Sequence, residues 1–147
     1  MLTGEYRVAL DEKSRLLVPT KVRTEIPGTS LVLTKGMDHC LWLFPPDQWA
    51  KIAKSILEST SMFNQQGRMI QRRIIAPAAE LEVDKTGRIT IPALLREHAG
   101  LKKDILVLGI RNYLEIWDEE AYLAYQNETE ASFNDMADQM SILWPKE

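Results

Sequence analysis

Two short basic segments combine the side chains that proteins use to bind phosphate groups. They are Lys13, Ser14 and Arg15, and Lys85, Thr86, Gly87 and Arg88. Lys and Arg at exposed turns can neutralise phosphates, and an Arg can donate two hydrogen bonds to guanine in the major groove of DNA. A simpler interpretation is that each Arg pairs with the preceding aspartate, Asp11 or Asp84, and only staples its turn. The residues alone leave both interpretations open, and both can hold if the Asp orients the Arg.

The two segments belong to a longer internal repeat. The segment 10–19 has the same layout as 83–92, and the same difference in residue number relates Arg23 to Arg96. Continued without a gap, this offset pairs Leu33 with Leu106, Gly36 with Gly109, and Leu41 with Leu114. A constant offset over this length predicts two copies of one supersecondary unit.

Each unit is predicted to begin with a β-hairpin whose tip carries the basic segment. Polar and apolar residues alternate in 80–83 and in 88–91, which is typical of half-buried strands. The loop between them ends in Gly87, which suits the left-handed position of a three-residue turn. Asp84 and Arg88 flank this loop and can meet as a cross-strand ion pair, and the Asp carboxylate can also accept hydrogen bonds from loop N–H groups. Ser14 replaces Gly87 in the first copy, so that turn is either strained or differently wound, and a glycine at position 14 should be tolerated or mildly stabilising.

Helices are predicted after each hairpin and between the units. Pro19 and Pro92 favour short helices over 21–25 and 94–98, and Arg23 and Arg96 on them are expected to be structural ion-pair partners. Longer helices are predicted from Pro45 to about Ser59, over 65–76, and from Asp118 to about Gln126. Arg68, Arg72 and Arg73 on the second of these could form a second DNA contact, but the favoured interpretation is a solvated helix face, with some of them pairing with acids of a neighbour. Residues 127–139 should be helical or partly mobile, and Met140, Ile142, Leu143 and Trp144 should form an apolar patch that docks on the body or on a neighbouring subunit.

The distribution of charge favours an anionic partner despite a net charge of −3. Up to Asn112 the chain has 17 Lys and Arg against 12 Asp and Glu, whereas from Tyr113 onward it has one Lys against nine acids. The chain is therefore a basic body with an acidic tail. A single cysteine excludes a disulfide framework, and the sequence predicts no signal peptide, membrane span or membrane partner, so a cytoplasmic location is expected.

The repeated pattern resembles the MraZ family, whose units are similar to the AbrB-type swapped-hairpin domain. The residues that carry the resemblance are the two Asp-x-x-x-Arg turns with their downstream Pro and Arg, the segment 41–45 followed by Trp49, and the segment 61–64 leading to Arg68 and 71–73. The resemblance covers nearly the whole chain apart from the tail. Ser14 departs from the glycine that is usual in the family.

The resemblance implies a fold and a function. The expected fold is mixed α/β and rich in strands, with two tandem swapped-hairpin β-barrel units and connecting helices. The units are expected at 1–50 and 77–122, with a helical connector at 51–76 and an acidic tail at 123–147. The implied function is that of a bacterial, nucleoid-associated DNA-binding regulator of transcription of the division and cell-wall genes. It assembles into a ring that binds direct repeats in double-stranded promoter DNA, with the two basic segments as contacts and Asp11 and Asp84 shaping the turns.

An enzymatic function is not favoured, and no metal or other cofactor is predicted. His39 and Cys40 are adjacent in a predicted strand and therefore point to opposite faces, so they cannot form a dyad. The sequence contains no glycine-rich phosphate loop, nucleophile elbow or metal-spaced ligand cluster. The alternative function is a non-catalytic, ring-forming assembly protein that binds other proteins.

Overall fold

The mixed α/β, strand-rich architecture is confirmed. The computed structural model describes residues 1–140 and Pro145. Its strands are β1 (Leu2–Ala9), β2 (Arg15–Leu17), β3 (Ser30–Lys35), β4 (Leu41–Phe44), β5 (Ala79–Glu82), β6 (Arg88–Thr90), β7 (Asp104–Arg111) and β8 (Leu114–Asp118). Its helices are α1 (Thr20–Glu25), α2 (Pro46–Ser59), α3 (Gln65–Ile70), α4 (Ala93–Ala99) and α5 (Glu119–Gln139), and a π-helical turn, Gln71–Ile75, extends α3.

The strands of the two repeats interleave. Six of them form one antiparallel sheet in the order β1-β7-β8-β4-β3-β5, and β2 and β6 form a separate two-stranded ribbon. The first strand of each repeat thus pairs with the third strand of the other, and the second strands pair together. Within the described residues neither sheet closes into a barrel. The predicted boundaries of the two units stay a prediction.

Both repeats contribute to one hydrophobic core. Leu16 and Ile89 lie opposite each other in the ribbon, and each is only 1% exposed. They pack in a cluster with buried residues of the large sheet, such as Leu33 and Val107, and of the short helices, such as Leu95. Burial of these side chains is the main favourable term in folding, so neither repeat can keep its core without the other.

The pairing of the strands shows that the ungapped alignment of the two repeats is wrong by one residue at β7. Ala9 pairs with Asp104, whereas Glu82, the counterpart of Ala9 at the constant offset, pairs with Ser30. Ser30 and Asp104 are therefore equivalent positions, although Asp104 lies one position later than that offset requires. One extra residue precedes β7, so the sequence-based pairs Leu33–Leu106 and Gly36–Gly109 are wrong by one position.

The original offset returns at β4 and β8. Leu41 lies opposite Ile116, and Leu43 lies opposite Leu114. The two pairs are symmetric when Leu41 is equivalent to Leu114 and Leu43 is equivalent to Ile116, as the original offset requires. The β2–β6 ribbon is symmetric in the same way about Leu16 and Ile89. The two repeats are thus related by an approximate twofold axis.

The last helix is longer than the sequence predicted. α5 begins where the Asp118 carboxylate accepts the Ala121 N–H at 3.2 Å, and it continues to Gln139 instead of ending near Gln126. Nearly every side chain from 130 to 140 is exposed. The predicted apolar patch at the end includes residues 142, 143 and 144, which lie outside the described residues. None of the described helices is long and apolar enough to cross a membrane.

Candidate nucleic-acid interface

The two basic turns lie at opposite ends of the short ribbon that β2 and β6 form, because these strands pair antiparallel. Arg15 faces Thr90 and Arg88 faces Leu17 across this ribbon, on either side of the buried Leu16–Ile89 pair. Since successive strand residues point to opposite faces, Arg15 and Arg88 share the outer face. Two segments that belong to different repeats, and are distant in sequence, therefore form one surface.

In the first turn, Asp11 holds both the backbone and the Arg15 side chain. Its Oδ1 accepts the N–H groups of Lys13 at 2.9 Å and Arg15 at 2.8 Å, and its Oδ2 accepts Nε of Arg15 at 2.7 Å. These hydrogen bonds lower the pKa of Asp11, and the bond from the Arg15 backbone N–H contributes most. The ion pair predicted for this turn is present.

In the second turn, Asp84 holds the loop but not the arginine side chain. Its Oδ1 accepts the Thr86 hydroxyl at 2.7 Å, the Thr86 N–H at 2.8 Å and the Arg88 N–H at 3.0 Å. The Thr86 hydroxyl is the largest cause of the lowered pKa of Asp84. The guanidinium of Arg88 forms no ion pair or hydrogen bond with any residue that the structure describes, so the predicted Asp84–Arg88 ion pair is wrong.

The residue before each arginine has a left-handed backbone, with φ of 61° at Ser14 and 82° at Gly87. This geometry turns each carbonyl toward the other repeat. Ser14 accepts the Ile91 N–H, and Gly87 accepts the Val18 N–H, both at 2.9 Å. The first turn is therefore strained at Ser14 and is not differently wound, which were the two alternatives that the sequence left open. Each turn is also hydrogen-bonded to the end of a strand of the other repeat.

Arg23 and Arg96 pack on these same turns. The Arg23 guanidinium covers Gly87 so closely that a Cβ there would lie 2.7 Å from Arg23 Cζ, and Nε donates to the Val18 carbonyl at 3.0 Å. Nη1 of Arg96 donates to the Ser14 hydroxyl. A structural placement was expected, but neither arginine forms an ion pair with a described residue. No signal in the sequence indicated that each arginine supports the turn of the other repeat.

The seven predicted contact residues have two different environments. Lys13, Lys85 and Thr86 are exposed, and Arg15 and Arg88 are half-buried along the outer face. Ser14 is half-buried and Gly87 is buried, so these two shape the turns rather than present side chains to a partner. Arg7, which the sequence analysis did not single out, lines the same shallow groove as Arg15 and Arg88.

The other candidate cations and Cys40 lie elsewhere. Arg73 donates to the carbonyls of Gly36 and Met37 at 3.1 Å each and so closes the β3–β4 turn instead of facing solvent. Arg68 donates to the Met62 carbonyl at 3.0 Å. Cys40 is fully buried, and burial raises the pKa of its thiol to about 12, so it is protonated and a poor nucleophile.

The internal repeat of the chain matches the model of a known protein family. The family model for MraZ protein matches residues 1–73 and again residues 74–142, which is the internal repeat. This chain belongs to the MraZ family.

Individual MraZ relatives match nearly the full length. The chain is 47% identical over 137 residues to the transcriptional regulator MraZ of Treponema denticola, covering 93% of this chain and 95% of the relative. It is 47% identical over 131 residues to that of Treponema pallidum, covering 89% and 88%. With that of Thermoanaerobacter sp. (strain X514) it shares 39% identity over 143 residues, covering 97% and 99%. These relatives carry the name of a regulator, not of an enzyme.

Proposed function

We propose that this chain is a DNA-binding regulator of transcription and that the outer face of the β2–β6 ribbon is its DNA-contacting surface. The observation that carries the proposal is that one arginine from each basic turn, Arg15 and Arg88, lies on the same outer face of the ribbon. Lys13 and Lys85 are exposed at the two tips, and Arg15 and Arg88 line one shallow groove together with Arg7. The name of the MraZ relatives as transcriptional regulators supports the same function.

The four cations have different roles in this proposal. Lys13 and Lys85 neutralise phosphates, because a lysine ammonium is a point charge without a fixed orientation. Arg15 and Arg88 contact base edges, where a guanidinium can donate two hydrogen bonds to one guanine. Asp11 already orients Arg15, whereas Arg88 has no side-chain partner among the described residues and can adjust to the DNA. Ser14 and Gly87 act indirectly, by giving the turns their shape.

The finer parts of the proposal concern assembly and target. One ribbon displays only four such cations, too few for tight binding at physiological salt. A head-to-tail ring displays many ribbons in the same orientation, so its target is a set of direct repeats, and each bound ribbon raises the effective concentration of the next. The target promoter is that of the division and cell-wall gene cluster, and the protein acts at the nucleoid in the cytoplasm.

The test is a fluorescence anisotropy titration of a duplex that the wild-type protein selects from a random-sequence library. Arg15→Ala and Arg88→Ala should each weaken binding by more than the roughly tenfold expected for one lost contact, because the deficit recurs in every subunit. Lys13→Ala and Lys85→Ala should lower the slope of log affinity against log salt by about 0.9 per lost phosphate contact while leaving sequence preference unchanged.

The matched control is Lys54→Ala. Lys54 is an exposed cation on α2, away from the ribbon, and among the residues that the structure describes its ion-pair partner is Glu58 at 3.9 Å. Its replacement should leave the affinity unchanged. Light scattering and thermal melting show whether each variant assembles and folds normally. Unchanged affinity in well-folded Arg15→Ala and Arg88→Ala would contradict the site, and failure of the wild type to retain any duplex at low salt would favour an assembly protein that binds other proteins.

A further inference from the structure

An open cavity of about 400 Å³ lies away from the proposed DNA surface, where β4, α2 and the β7–β8 turn meet. Its walls are the aromatic rings of Trp42, Phe44 and Tyr113. The Tyr113 ring stacks on Phe44 with 5.4 Å between centroids and meets the edge of Trp42 at 5.6 Å. A volume of this size with largely apolar walls is typical of small-molecule sites.

The other repeat fills the equivalent space with its own side chains. α2 begins at Pro46 and α5 at Glu119, which differ by the same offset as the two basic turns, so Ile52 and Tyr125 are equivalent positions. Tyr125 packs on Trp117 with 5.1 Å between centroids, whereas the smaller Ile52 leaves room beside Phe44, the equivalent of Trp117. The fold can therefore close this space with one aromatic side chain, and it does so in one repeat only.

The polar side chains that α2 contributes to the cavity have no polar counterparts on α5. Lys51 and Gln48 line it from α2, and their equivalents on α5 are Ala124 and Ala121. Arg111 lines it from the β7–β8 turn, where its φ of 68° places it in the left-handed region. Within the described part of the chain neither Lys51 nor Arg111 forms an ion pair. Two cations that converge on apolar walls without an acidic partner favour an anion with an aromatic body.

We propose that this cavity is a binding site for a small planar aromatic carboxylate or sulfonate. The ring system lies against the aromatic wall of Trp42, Phe44 and Tyr113, and the anionic group meets Lys51 and Arg111. Burial, and after it the nearby Glu115 carboxylate, raise the pKa of Tyr113, so its hydroxyl is a neutral hydrogen-bond donor at neutral pH. The site is independent of the ribbon and does not require DNA binding.

The test is isothermal titration of the full chain with 2-naphthoate, with neutral 2-naphthamide as the comparison ligand. The wild type should bind one naphthoate per chain, about tenfold more tightly than the amide, because a charge-assisted hydrogen bond contributes that much. Lys51→Gln should remove most of this preference for the anion. Ile52→Tyr, which copies Tyr125 of the other repeat, should close the cavity and weaken the binding of both ligands by about tenfold or more.

The matched control is Leu57→Tyr, which adds the same ring to an exposed position of α2 outside the cavity and should leave binding unchanged. Thermal melting checks that Ile52→Tyr folds. No saturable binding at millimolar naphthoate, or unchanged binding in both Ile52→Tyr and Lys51→Gln, would overturn the proposal. Naphthoate binding that appears only when dilution lowers the mass in light scattering would also overturn it, because a second copy would then be the occupant.

Discussion

Ser14 carries two opposing contributions to the stability of the first turn. Its left-handed backbone costs a non-glycine residue roughly 1–2 kcal/mol. Its hydroxyl accepts a hydrogen bond from the Arg96 guanidinium, and bonds of this charged type contribute about 1.5–3 kcal/mol. A serine in place of the family's usual glycine is thus strained locally and compensated by a residue of the other repeat.

This bond changes the expectation for Ser14→Gly. Glycine relieves the strain but loses the bond, so we expect it to be close to neutral or mildly destabilising instead of stabilising. Ser14→Ala loses the bond and keeps the strain, so it should be less stable than Ser14→Gly by about 1 kcal/mol. Urea unfolding at one protein concentration measures both. An alanine variant as stable as the glycine variant would mean that the backbone at position 14 is not strained.

The turn carboxylates predict how stability depends on pH. The pKa values of Asp11 and Asp84 are lowered in the folded protein, so their contribution is present above the unfolded value of about 3.8 and is lost as pH falls through the folded values. Asp11→Asn and Asp84→Asn should therefore flatten the loss of melting temperature below about pH 4. Asp104→Asn is the control, since that exposed carboxylate has no partner among the described residues. If the melting temperature falls equally steeply at acid pH in all three variants, this account is contradicted.

At the scale of single residues, local sequence was a good guide to the turns and a poor guide to their partners. Gly87 and the repeat predict a left-handed position at residue 14, and Asp11 and Asp84 are where turn chemistry requires an acceptor. The bond between Ser14 and Arg96 joins residues that are 82 positions apart. No local pattern reports such a contact, because it arises only after strands of different repeats have paired.

At the scale of elements, alternation predicted the strands but not which strands pair. β5 and β6 were expected as the two arms of one hairpin. Two turn bonds keep that character, from the Asp84 N–H to the Arg88 carbonyl at 2.8 Å and from the Gly87 N–H to the Asp84 carbonyl at 3.0 Å. β5 then continues along β3, and β6 continues along β2. The family resemblance supplied the exchange of strands between units, which the period of two in the sequence could not.

The cross-repeat support of the turns predicts a large effect of Gly87→Ala. The new Cβ would be strained at φ of 82° and would meet the Arg23 guanidinium at 2.7 Å. Gly28→Ala is a matched control, because its φ is also left-handed, at 78°, with no atom within 4 Å of the added carbon. We expect Gly28→Ala to cost about 1 kcal/mol and Gly87→Ala to cost 1 kcal/mol or more beyond that, in urea unfolding. Equal losses would mean that Arg23 moves away freely.

The length of α5 shows why its second half was difficult to predict. Residues 127–139 have no apolar stripe facing the body, and amphipathic periodicity is the signal from which helices are usually predicted. The segment nevertheless extends a helix whose start is fixed by the Asp118 cap and by Tyr122 and Tyr125 packing on Trp117. Each residue added to an existing helix gains a hydrogen bond without a new nucleation cost, so the helix continues with few contacts to the body.

At the scale of the whole molecule, an approximate twofold axis relates repeats whose surfaces have diverged. The axis passes between Leu16 and Ile89 and between Trp42 and Glu115, which are equivalent residues facing each other. Some equivalent positions of the two turns keep the same residue, as at Asp11 and Asp84 and at Arg15 and Arg88. Identity is lost at Ile52 and Tyr125, which leave a cavity in one copy and fill it in the other. The repeat could be read from the sequence, but the cavity could not, because it depends on the space left between packed elements.

The exposed apolar surface predicts self-association. Met62 and Phe63, in the connection between α2 and α3, are 64% and 89% exposed, and Leu57 and Met69 on the flanking helices are also exposed. Adjacent apolar side chains at such exposure are typical of contact sites between proteins. Trp49 of α2 packs on Phe44 with 5.5 Å between ring centroids, so the expected interface centres on the α2–α3 connection. Light scattering at micromolar concentration should give a multiple of the 16.8 kDa chain mass.

Phe63→Asp should reduce that mass, because a carboxylate at the centre of an apolar contact is costly to desolvate, whereas Ser55→Asp on the exposed face of α2 should not. A single species of 16.8 kDa in the wild type would show that the chain is a monomer, and DNA binding would then have to arise from one ribbon alone.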